Sequence, residues 1–311
     1  MAGDTTVPAG AGAAAGPVAR TTWRRRWPLL PALLYTVVVT QVPFLFTVLY
    51  SFQSWNLVRP GPGRWVGLAN YANVFTDSAF RSAVLVETEM TVLAVVFAMA
   101  LGVPLAVLLD RRFPGRGVAR TLLISPFLIM PTVAGLLWRT TMLDPVYGIV
   151  SEVLSWCGVP ATDFVSRFPM ASVVTVLVWQ WTPFMMLIVL AGLQSQPADV
   201  LEAARVDGAG PWTTFRWITV PHLRRYVGLG VLLGAIYLVN TFDVIYMMTQ
   251  GGPGTRTTNL PYYVYQRAFL GFDVGQASAL GVVTVAGTIV VASVALRLMF
   301  TMFSGPERKA R

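Results

Sequence analysis

The sequence predicts an all-α membrane protein with six transmembrane helices. Of its 311 residues, 55% are hydrophobic and 12% are charged, and the charged share is about half of the roughly 25% that soluble domains carry. A series of apolar segments runs along the chain, each close to the roughly 20 residues that a helix needs to cross the hydrocarbon core. The basic residues are unevenly distributed between the loops, which indicates how the spans are oriented.

The six predicted spans form one transmembrane domain over residues 28–303. Their approximate ranges are 28–50, 83–109, 118–138, 171–193, 226–248 and 276–303. The third span contains Pro126 and Pro131, so we expect a kink there. Residues 1–27, rich in small residues and ending in arginines, are expected to form a disordered basic cytoplasmic tail. Residues 194–225 form a polar loop, and 304–311 form a second cytoplasmic tail.

The lysines and arginines orient these spans. If the spans alternate, 16 of the 23 basic residues fall on one side, in the two terminal regions and in the loops around 111–120 and 205–225. Basic residues accumulate in cytoplasmic loops, so we expect both termini and the loop 194–225 in the cytoplasm. The net charge of +9 is thereby explained by topology, and no nucleic-acid partner is needed.

Few residue types suited to catalysis are present. Cys157 is the single cysteine and His222 the single histidine, which excludes a disulfide framework, a multi-cysteine metal site and a histidine cluster. The sequence also lacks the glycine-rich Lys-Ser/Thr motif of nucleotide-binding proteins. We therefore predict no catalytic residue, no metal ligand and no cofactor bound by this chain.

The polar loop has the local signals of two short helices. Asp199 is the expected N-cap of the first helix, with Glu202 reaching back as in a capping box. Gly208 suits the left-handed position after its end. Pro211 then suits the first position of a second helix, and Pro221 is expected to end it. Large apolar side chains recur every third residue between these prolines, at Trp212, Phe215 and Ile218. A helix resting on lipid headgroups is the alternative interpretation of this stretch.

The spacing within this loop resembles the EAA loop of permease subunits of binding-protein-dependent ABC importers. That pattern consists of Glu-Ala-Ala, two residues, Asp-Gly-Ala, and then Phe, Ile and Pro at fixed distances. The matching residues are Glu202, Ala203, Ala204, Asp207, Gly208, Ala209, Phe215, Ile218 and Pro221. One departure is Arg225, where many relatives have a second proline.

Two other segments resemble carbohydrate permeases of the maltose and glycerol-3-phosphate class. They are "LANYANVF" after the first span and "TQGGPGTRTTNLPYYVYQRAFLGFDVGQASALGVV" before and into the last. The resemblance covers the chain from about the first span to its end. It implies a type I ABC importer permease fold in the cell's inner (plasma) membrane, with the loop 194–225 acting as a coupling loop.

The resemblance also implies the partners. They are a second permease subunit, two copies of a cytoplasmic ATPase that binds ATP and magnesium, an extracytoplasmic substrate-binding protein, and membrane lipid. In this family Glu202 would orient the coupling helix or pair with a basic residue of the ATPase. Gly208 would allow the bend, and Phe215 would fill a groove of the ATPase. A single sequence leaves open whether the second permease is a related chain or another copy.

Polar residues inside spans are the candidates for a substrate path. Tyr237, Asn240, Asp243 and Tyr246 recur every third residue and would form one stripe on the fifth span, and the fourth span adds Trp179 and Gln180. Hydroxyl-binding groups beside aromatic faces suit a sugar. The alternative is that Asn240 and Asp243 only bond neighbouring helices. Glu87 and Glu89 are expected to lie shallowly at the membrane interface.

Three functions compete on these observations. An importer permease for a disaccharide, oligosaccharide or polyol accounts for the spans, the stripe and the polar loop. An ion-coupled secondary transporter or channel for a small polar solute would not account for a polar loop that bends at a glycine. An intramembrane enzyme would need paired catalytic groups that the sequence lacks.

Overall fold

The computed structural model describes residues 29–59, 61, 63–158 and 160–303. The predicted tails 1–27 and 304–311 lie outside the described residues. The chain divides into two compact units, Met1–Thr47 and Val48–Arg311. In the first unit the described residues form most of helix α1 (Leu30–Ser51), and residues 29–46 are exposed.

The second unit is helical apart from one small hairpin. The hairpin pairs β1 (Gln53–Ser54) with β2 (Arg64–Trp65) in antiparallel register. The helices that follow as far as the cytoplasmic loop are α2 (Ala69–Thr76), α3 (Ser78–Asp110), α4 (Arg116–Leu128), α5 (Pro131–Leu137), α6 (Ile149–Trp156), α7 (Phe164–Arg167) and α8 (Pro169–Gln194). A π-helical turn, π1 (Trp138–Met142), extends α5.

The remaining helices begin in the loop 194–225. They are α9 (Ala198–Val206), α10 (Pro211–Thr214), π2 (Phe215–Thr219), α11 (Val220–Leu238), α12 (Asp243–Met248), α13 (Leu260–Tyr265), π3 (Gln266–Leu270) and α14 (Val274–Phe303). Within the described part of the chain, α1, α3, α8 and α14 are long and apolar enough to cross a membrane. Helices α4 and α5, bent by 99°, count as a fifth span if the pair crosses as one.

Helices α3 and α8 pack along their length and form the centre of the second unit. The face of α3 toward α8 includes small residues, among them the fully buried Ala94 and Ala98. At Gly102 an added Cβ would lie 2.9 Å from the Cβ of Met185, so only glycine allows this approach of the two helices. Small residues at helix contacts are how membrane helices gain van der Waals packing, because lipid supplies no hydrophobic drive between them.

The third predicted span is bent rather than straight. Ile129 and Met130 leave α4 with extended backbones, and Pro131 begins α5. The residue before a proline is driven out of the helical conformation, which accounts for the break at this point. The kink expected from Pro126 and Pro131 is therefore a full change of direction.

The fifth predicted span, 226–248, is also not one helix. It is divided between α11, which begins at Val220, and α12, and residues 239–242 between them are not helical. Pro221 consequently lies in the first turn of α11 and does not end a helix, contrary to expectation. The π turn before it places the Val220 amide on the Phe215 carbonyl, five residues back. This wider turn joins the loop to α11 without a stop.

Candidate translocation path and coupling surface

The loop 194–225 bends at Gly208 as the sequence predicts. Gly208 has a φ of +76°, its amide donates to the Arg205 carbonyl, and the Ala209 amide donates to the Ala204 carbonyl at 2.9 Å. These two bonds make a Schellman motif, which satisfies carbonyls that the end of a helix would leave unpaired. The orientation of α10 relative to α9 therefore depends on one left-handed residue.

The start of α9 differs from expectation. Its N-cap is Pro197, and no side chain caps the helix. Asp199 lies in the first turn, so its carboxylate is not at the cap position and the predicted capping box with Glu202 does not form. A carboxylate in the first turn still interacts favourably with the positive end of the helix dipole.

The exposed surface of the loop 194–225 carries large apolar side chains. Val206 is 87% exposed, Trp212 74% and Trp217 69%, while Phe215 is half-buried and stacks on Trp212 with ring centroids 6.0 Å apart. Beside these rings lies a shallow depression whose lining includes matching EAA residues. The lining residues are Asp199, Val200, Ala203, Ala204, Asp207, Ala209 and Ile218.

The acidic residues of the loop point away from the chain. Glu202 and Asp207 are exposed, and no hydrogen bond or ion pair of either carboxylate occurs among the residues that the structure describes. Exposed tryptophans next to carboxylates without partners are typical of a protein contact surface. Pro221, the last residue of the pattern, is exposed in α11.

A polar cluster fastens this loop to the end of α8. The Nε2 atom of His222 lies 3.1 Å from the carbonyl oxygen of Gly192 and 3.1 Å from the Ser195 hydroxyl. Ser195 in turn shares a hydrogen bond of 2.6 Å with the Tyr226 hydroxyl. This cluster was not predictable from the sequence, because its members are about 30 residues apart.

The break between α11 and α12 lies at the centre of the predicted polar stripe. Asn240 donates from Nδ2 to the Ile236 carbonyl at 2.8 Å, and the Thr241 carbonyl accepts from the side chain of Asn259. Side chains that bond the backbone in this way compete with helical hydrogen bonds. Tyr237 therefore lies on α11 while Asp243 and Tyr246 lie on α12, and the predicted continuous stripe is wrong.

Asp243 and Tyr246 begin α12 beside α5. Asp243 is exposed, and its Oδ1 atom accepts from the Thr132 hydroxyl at 2.9 Å. Tyr246 is half-buried and stacks on Phe242 with centroids 5.5 Å apart. It belongs to an aromatic cluster that the sequence did not reveal as a unit, made of Phe242, Tyr246, Tyr262, Tyr265 and Phe269.

A second aromatic group lies on the α11 side of the break. Tyr237 is 58% exposed and stacks on Trp181 of α8 with centroids 5.6 Å apart and ring planes inclined by 30°. Phe127 and Phe184 pack on the other edges of Trp181. Exposed polar groups at the break are therefore flanked by aromatic rings on both sides.

Gln180 and Trp179 are placed differently from the other predicted path residues. Gln180 is buried, and its Nε2 atom donates to the Ile129 carbonyl at 2.8 Å, at the bend between α4 and α5. Trp179 packs edge to face on Trp138. Gln180 therefore supports the bend between α4 and α5, and Trp179 supports the start of π1.

Glu87 and Glu89 have different environments although they are two residues apart on α3. Glu89 is exposed. Glu87 is only 3% exposed, and its Oε2 atom accepts from the Leu260 amide at 3.1 Å. The expectation of a shallow interfacial position is therefore wrong for Glu87, because α13 and the residues before it cover this turn of α3.

A polar clip joins the start of α3 to α13 and π3. Arg267 donates from Nη2 to Asp77 Oδ2 at 2.7 Å, and the Tyr263 hydroxyl donates to the same oxygen. Burial by itself would raise the pKa of Asp77. The hydrogen bonds from Tyr263, the Ala79 amide and Arg267, together with the arginine's charge, outweigh burial and lower the pKa below its ordinary value.

No metal centre is formed by the described residues, since no group of three or more His, Cys, Asp and Glu side chains lies together there. Bent and broken helices, polar groups exposed at a break, and a loop with exposed tryptophans are consistent with a multi-span membrane permease. The chain belongs to the family of binding-protein-dependent transport system inner membrane components, which it matches over residues 9–304. The predicted family is thereby confirmed.

Relatives in this family share most of their length with the chain. It is 37% identical over 281 residues to the probable ABC transporter permease protein y4oQ of Sinorhizobium fredii, covering 90% of each chain. It is 33% identical to the sulfoquinovosyl glycerol transport system permease protein SmoG of Agrobacterium fabrum, with 88% of this chain and 89% of the relative covered. Identity to the trehalose transport system permease protein SugA of Mycobacterium tuberculosis is 30%, with 90% of each covered.

The fold is similar to that of solved importers. A chain of a bacterial ABC transporter that imports the acidic polysaccharide alginate superposes with a TM-score of 0.77 at 21% identity, covering 89% of this chain and 96% of that one. The all-α fold class and the type I ABC importer permease fold predicted from the sequence are confirmed.

Proposed function

We propose that the chain forms half of the translocation path of an ATP-driven importer for a carbohydrate: a disaccharide, oligosaccharide or polyol. The observation that carries this proposal is the break between α11 and α12, where exposed Asn240 and Asp243 lie between two groups of aromatic rings. Hydroxyl groups need hydrogen-bonding partners, and the C–H faces of sugars pack on aromatic rings. Relatives named for trehalose and sulfoquinovosyl glycerol support this class of substrate.

The path residues have separate roles in this proposal. Asn240 and Asp243 bind hydroxyl groups, and Tyr237 and Tyr246 offer aromatic faces on either side of them. Trp179 and Gln180 hold the bend of α4 and α5 in place behind this surface. The Asp243 oxygen that is not bonded to Thr132 is the acceptor available to substrate.

The cytoplasmic loop is the proposed contact with a partner ATPase, in which ATP and magnesium bind, so this chain itself catalyses no reaction. Phe215, Ile218 and the exposed tryptophans supply the buried anchor of the contact, and Glu202 supplies its charge. Ala203, Ala204 and Ala209 keep the depression open, while Asp207, Gly208 and Pro221 set the path of the backbone. Hydrophobic anchors with a charged rim supply most of the energy of small interfaces.

Both termini lie in the cytoplasm in this proposal, and the assembly contains a second permease subunit and two ATPase copies. An extracytoplasmic substrate-binding protein docks on the opposite side and delivers the carbohydrate. A bacterial alginate ABC transporter, similar in fold to this chain, has been solved in complex with an alginate pentasaccharide-bound periplasmic protein, which supports this arrangement.

The test is uptake by the complete assembly in proteoliposomes. We expect ATP-dependent uptake of at least one disaccharide, oligosaccharide or polyol, and only when the binding protein is present. Binding of candidate ligands to that protein, measured by calorimetry, identifies which one. Uptake that proceeds without the ATPase, or a binding protein that accepts only amino acids, peptides or metals, would contradict the proposal.

A further inference from the structure

Glu87 is a buried carboxyl group that the proposed path does not use. It lies on the third turn of α3 with 3% of its surface exposed. Its Oε2 atom accepts from the Leu260 amide at 3.1 Å. The side chains of Thr91, one turn further on, and of Asn259 approach the same carboxyl group. A carboxyl group buried this deeply requires an explanation, because removing a charge from water is costly.

Glu87 is linked to the break in the fifth span through two adjacent residues. Leu260, which it accepts from, follows Asn259, and Asn259 is fully buried. The Asn259 side chain donates from Nδ2 to the Thr241 carbonyl within the break and accepts from the Tyr262 amide at the start of α13. The hydrogen bonds thus run from α3 through the junction 259–260 to the non-helical residues between Asn240 and Asp243.

Among the described residues, no positively charged side chain pairs with Glu87. On its own helix Glu89 is exposed and lines a groove together with Arg256. On α13, Tyr263 is bound to Asp77 and Arg267 at the clip, and Tyr262 packs in the aromatic cluster. On α12, Asp243 is exposed and bound to Thr132. Helix α8 carries no ionisable side chain, and α14 carries none before Arg297.

We propose that Glu87 is a positioning residue whose uncharged carboxyl group holds the junction 259–260 against α3 and thereby sets the geometry of the break at 239–242. A buried carboxylate ion without a counter-charge is far more costly than the neutral acid. The neutral acid still offers a carbonyl oxygen to the Leu260 amide. The functional part of this inference rests on the proposed transport function, and the structural part does not.

The test compares Glu87→Gln, Glu87→Leu and the control Glu89→Gln in the purified complex. Glutamine keeps a neutral acceptor for the Leu260 amide, whereas leucine leaves that amide unpaired. Hydrogen exchange of peptides covering residues 241–262 reports the junction directly. We expect Glu87→Leu to speed exchange there by about tenfold, the size expected for a lost buried hydrogen bond, and Glu87→Gln and Glu89→Gln to leave it unchanged.

Transport distinguishes positioning from a purely structural role. We expect Glu87→Leu to lower kcat for uptake with the KM for the loaded binding protein unchanged, and Glu87→Gln to restore kcat. Unchanged exchange in Glu87→Leu, or a Glu87→Gln variant as defective as Glu87→Leu, would overturn the proposal. If the wild-type complex carries no carbohydrate, the proposed function fails, and the exchange measurement still decides the role of Glu87.

Discussion

Asn240 and Asp243 are both exposed at one break, yet they use their side chains differently. The Asn240 side-chain amide donates to the Ile236 carbonyl near the end of α11, whereas the Asp243 carboxylate accepts from the Thr132 hydroxyl on α5. Asp243 therefore combines a contact between helices with an acceptor facing outward. The sequence raised both interpretations, and the geometry allows this residue to serve both at once.

Replacement of Asp243 by alanine tests which of the two contributions matters more. We expect Asp243→Ala to reduce the uptake rate about tenfold or more, since hydrogen bonds to charged groups contribute roughly 1.5–3 kcal/mol, while assembly of the complex is unchanged. Uptake assays and size-exclusion chromatography measure the two quantities. Asp110→Ala, at the exposed end of α3, is the control. Loss of assembly in Asp243→Ala would instead make the Thr132 contact its main role.

The exposed face of Tyr237 gives a second prediction at this scale. Because the ring rests on Trp181, Tyr237→Phe should keep the aromatic face and retain most uptake. Tyr237→Ala should raise the KM for uptake or lower kcat for uptake severalfold. The exposed Tyr147 supplies the control Tyr147→Ala. Equal loss in the phenylalanine and alanine variants would show that the hydroxyl group, and not the face, is used.

At the scale of secondary-structure elements, the bend between α9 and α10 depends on the backbone conformation of Gly208. Gly208 and Gly210 are two residues apart, and an added Cβ at either would meet nothing within 4 Å. They differ in φ, which is +76° at Gly208 and −67° at Gly210. The pair therefore separates backbone strain from steric space.

We expect Gly208→Ala to weaken uptake severalfold, because a side chain at positive φ costs about 1–2 kcal/mol, and Gly210→Ala to have no effect. Gly208→Pro, which cannot adopt this φ and lacks the bonded amide, should abolish coupled uptake while the spans still fold. Uptake and ATP hydrolysis are measured side by side. Intact ATP-driven uptake in Gly208→Pro would remove the loop from the coupling mechanism.

The clip of Asp77, Tyr263 and Arg267 predicts an acid dependence of stability. Since the folded-state pKa of Asp77 is lowered, its stabilising contribution is present above the unfolded pKa and is lost as pH falls through the folded pKa. Asp77→Asn should cost about 1 kcal/mol at neutral pH, a modest amount because the ion pair is partly solvated. It should also reduce the loss of melting temperature as the pH is lowered. Asp110→Asn should change neither the stability at neutral pH nor its dependence on acid.

Helices were predictable from the sequence where a long apolar segment alone determines their position. The predicted ranges 83–109, 171–193 and 276–303 fall inside α3, α8 and α14, and the prolines at 126 and 131 marked the bend between α4 and α5. The break at 239–242 was not predictable, because Asn259 takes the Thr241 carbonyl from a distant part of the chain. Glu87 was misplaced for the same reason, since Leu260 lies 173 residues away. Gly208 was placed correctly because a helix stop is a local property.

At the scale of the whole molecule, the proposed membrane topology can be tested through a residue of the chain itself. Cys157, exposed after α6, is the single cysteine of the sequence. The orientation derived from the basic residues places it on the outer side of the membrane, opposite the coupling loop.

A membrane-impermeant maleimide should therefore label Cys157 in intact spheroplasts. In a Cys157→Ser background, Arg112→Cys, in the exposed turn after α3, should be labelled only after permeabilisation. The Cys157→Ser protein provides the blank. The reverse pattern would invert the topology and place the loop 194–225 outside the cell.

Helix α8 runs from Pro169 to Gln194 and reaches both candidate surfaces. Its C-terminal end is fastened to the loop by Ser195 and His222, and Met185 packs closely against Gly102 of α3. At 1.5 Å per residue, roughly 14 Å separate this contact from Gln194 and roughly 24 Å separate it from Pro169. A rigid rotation of α8 about this contact moves its N-terminal end nearly twice as far as its C-terminal end, so a small displacement at the loop 194–225 is magnified at the other end of the helix.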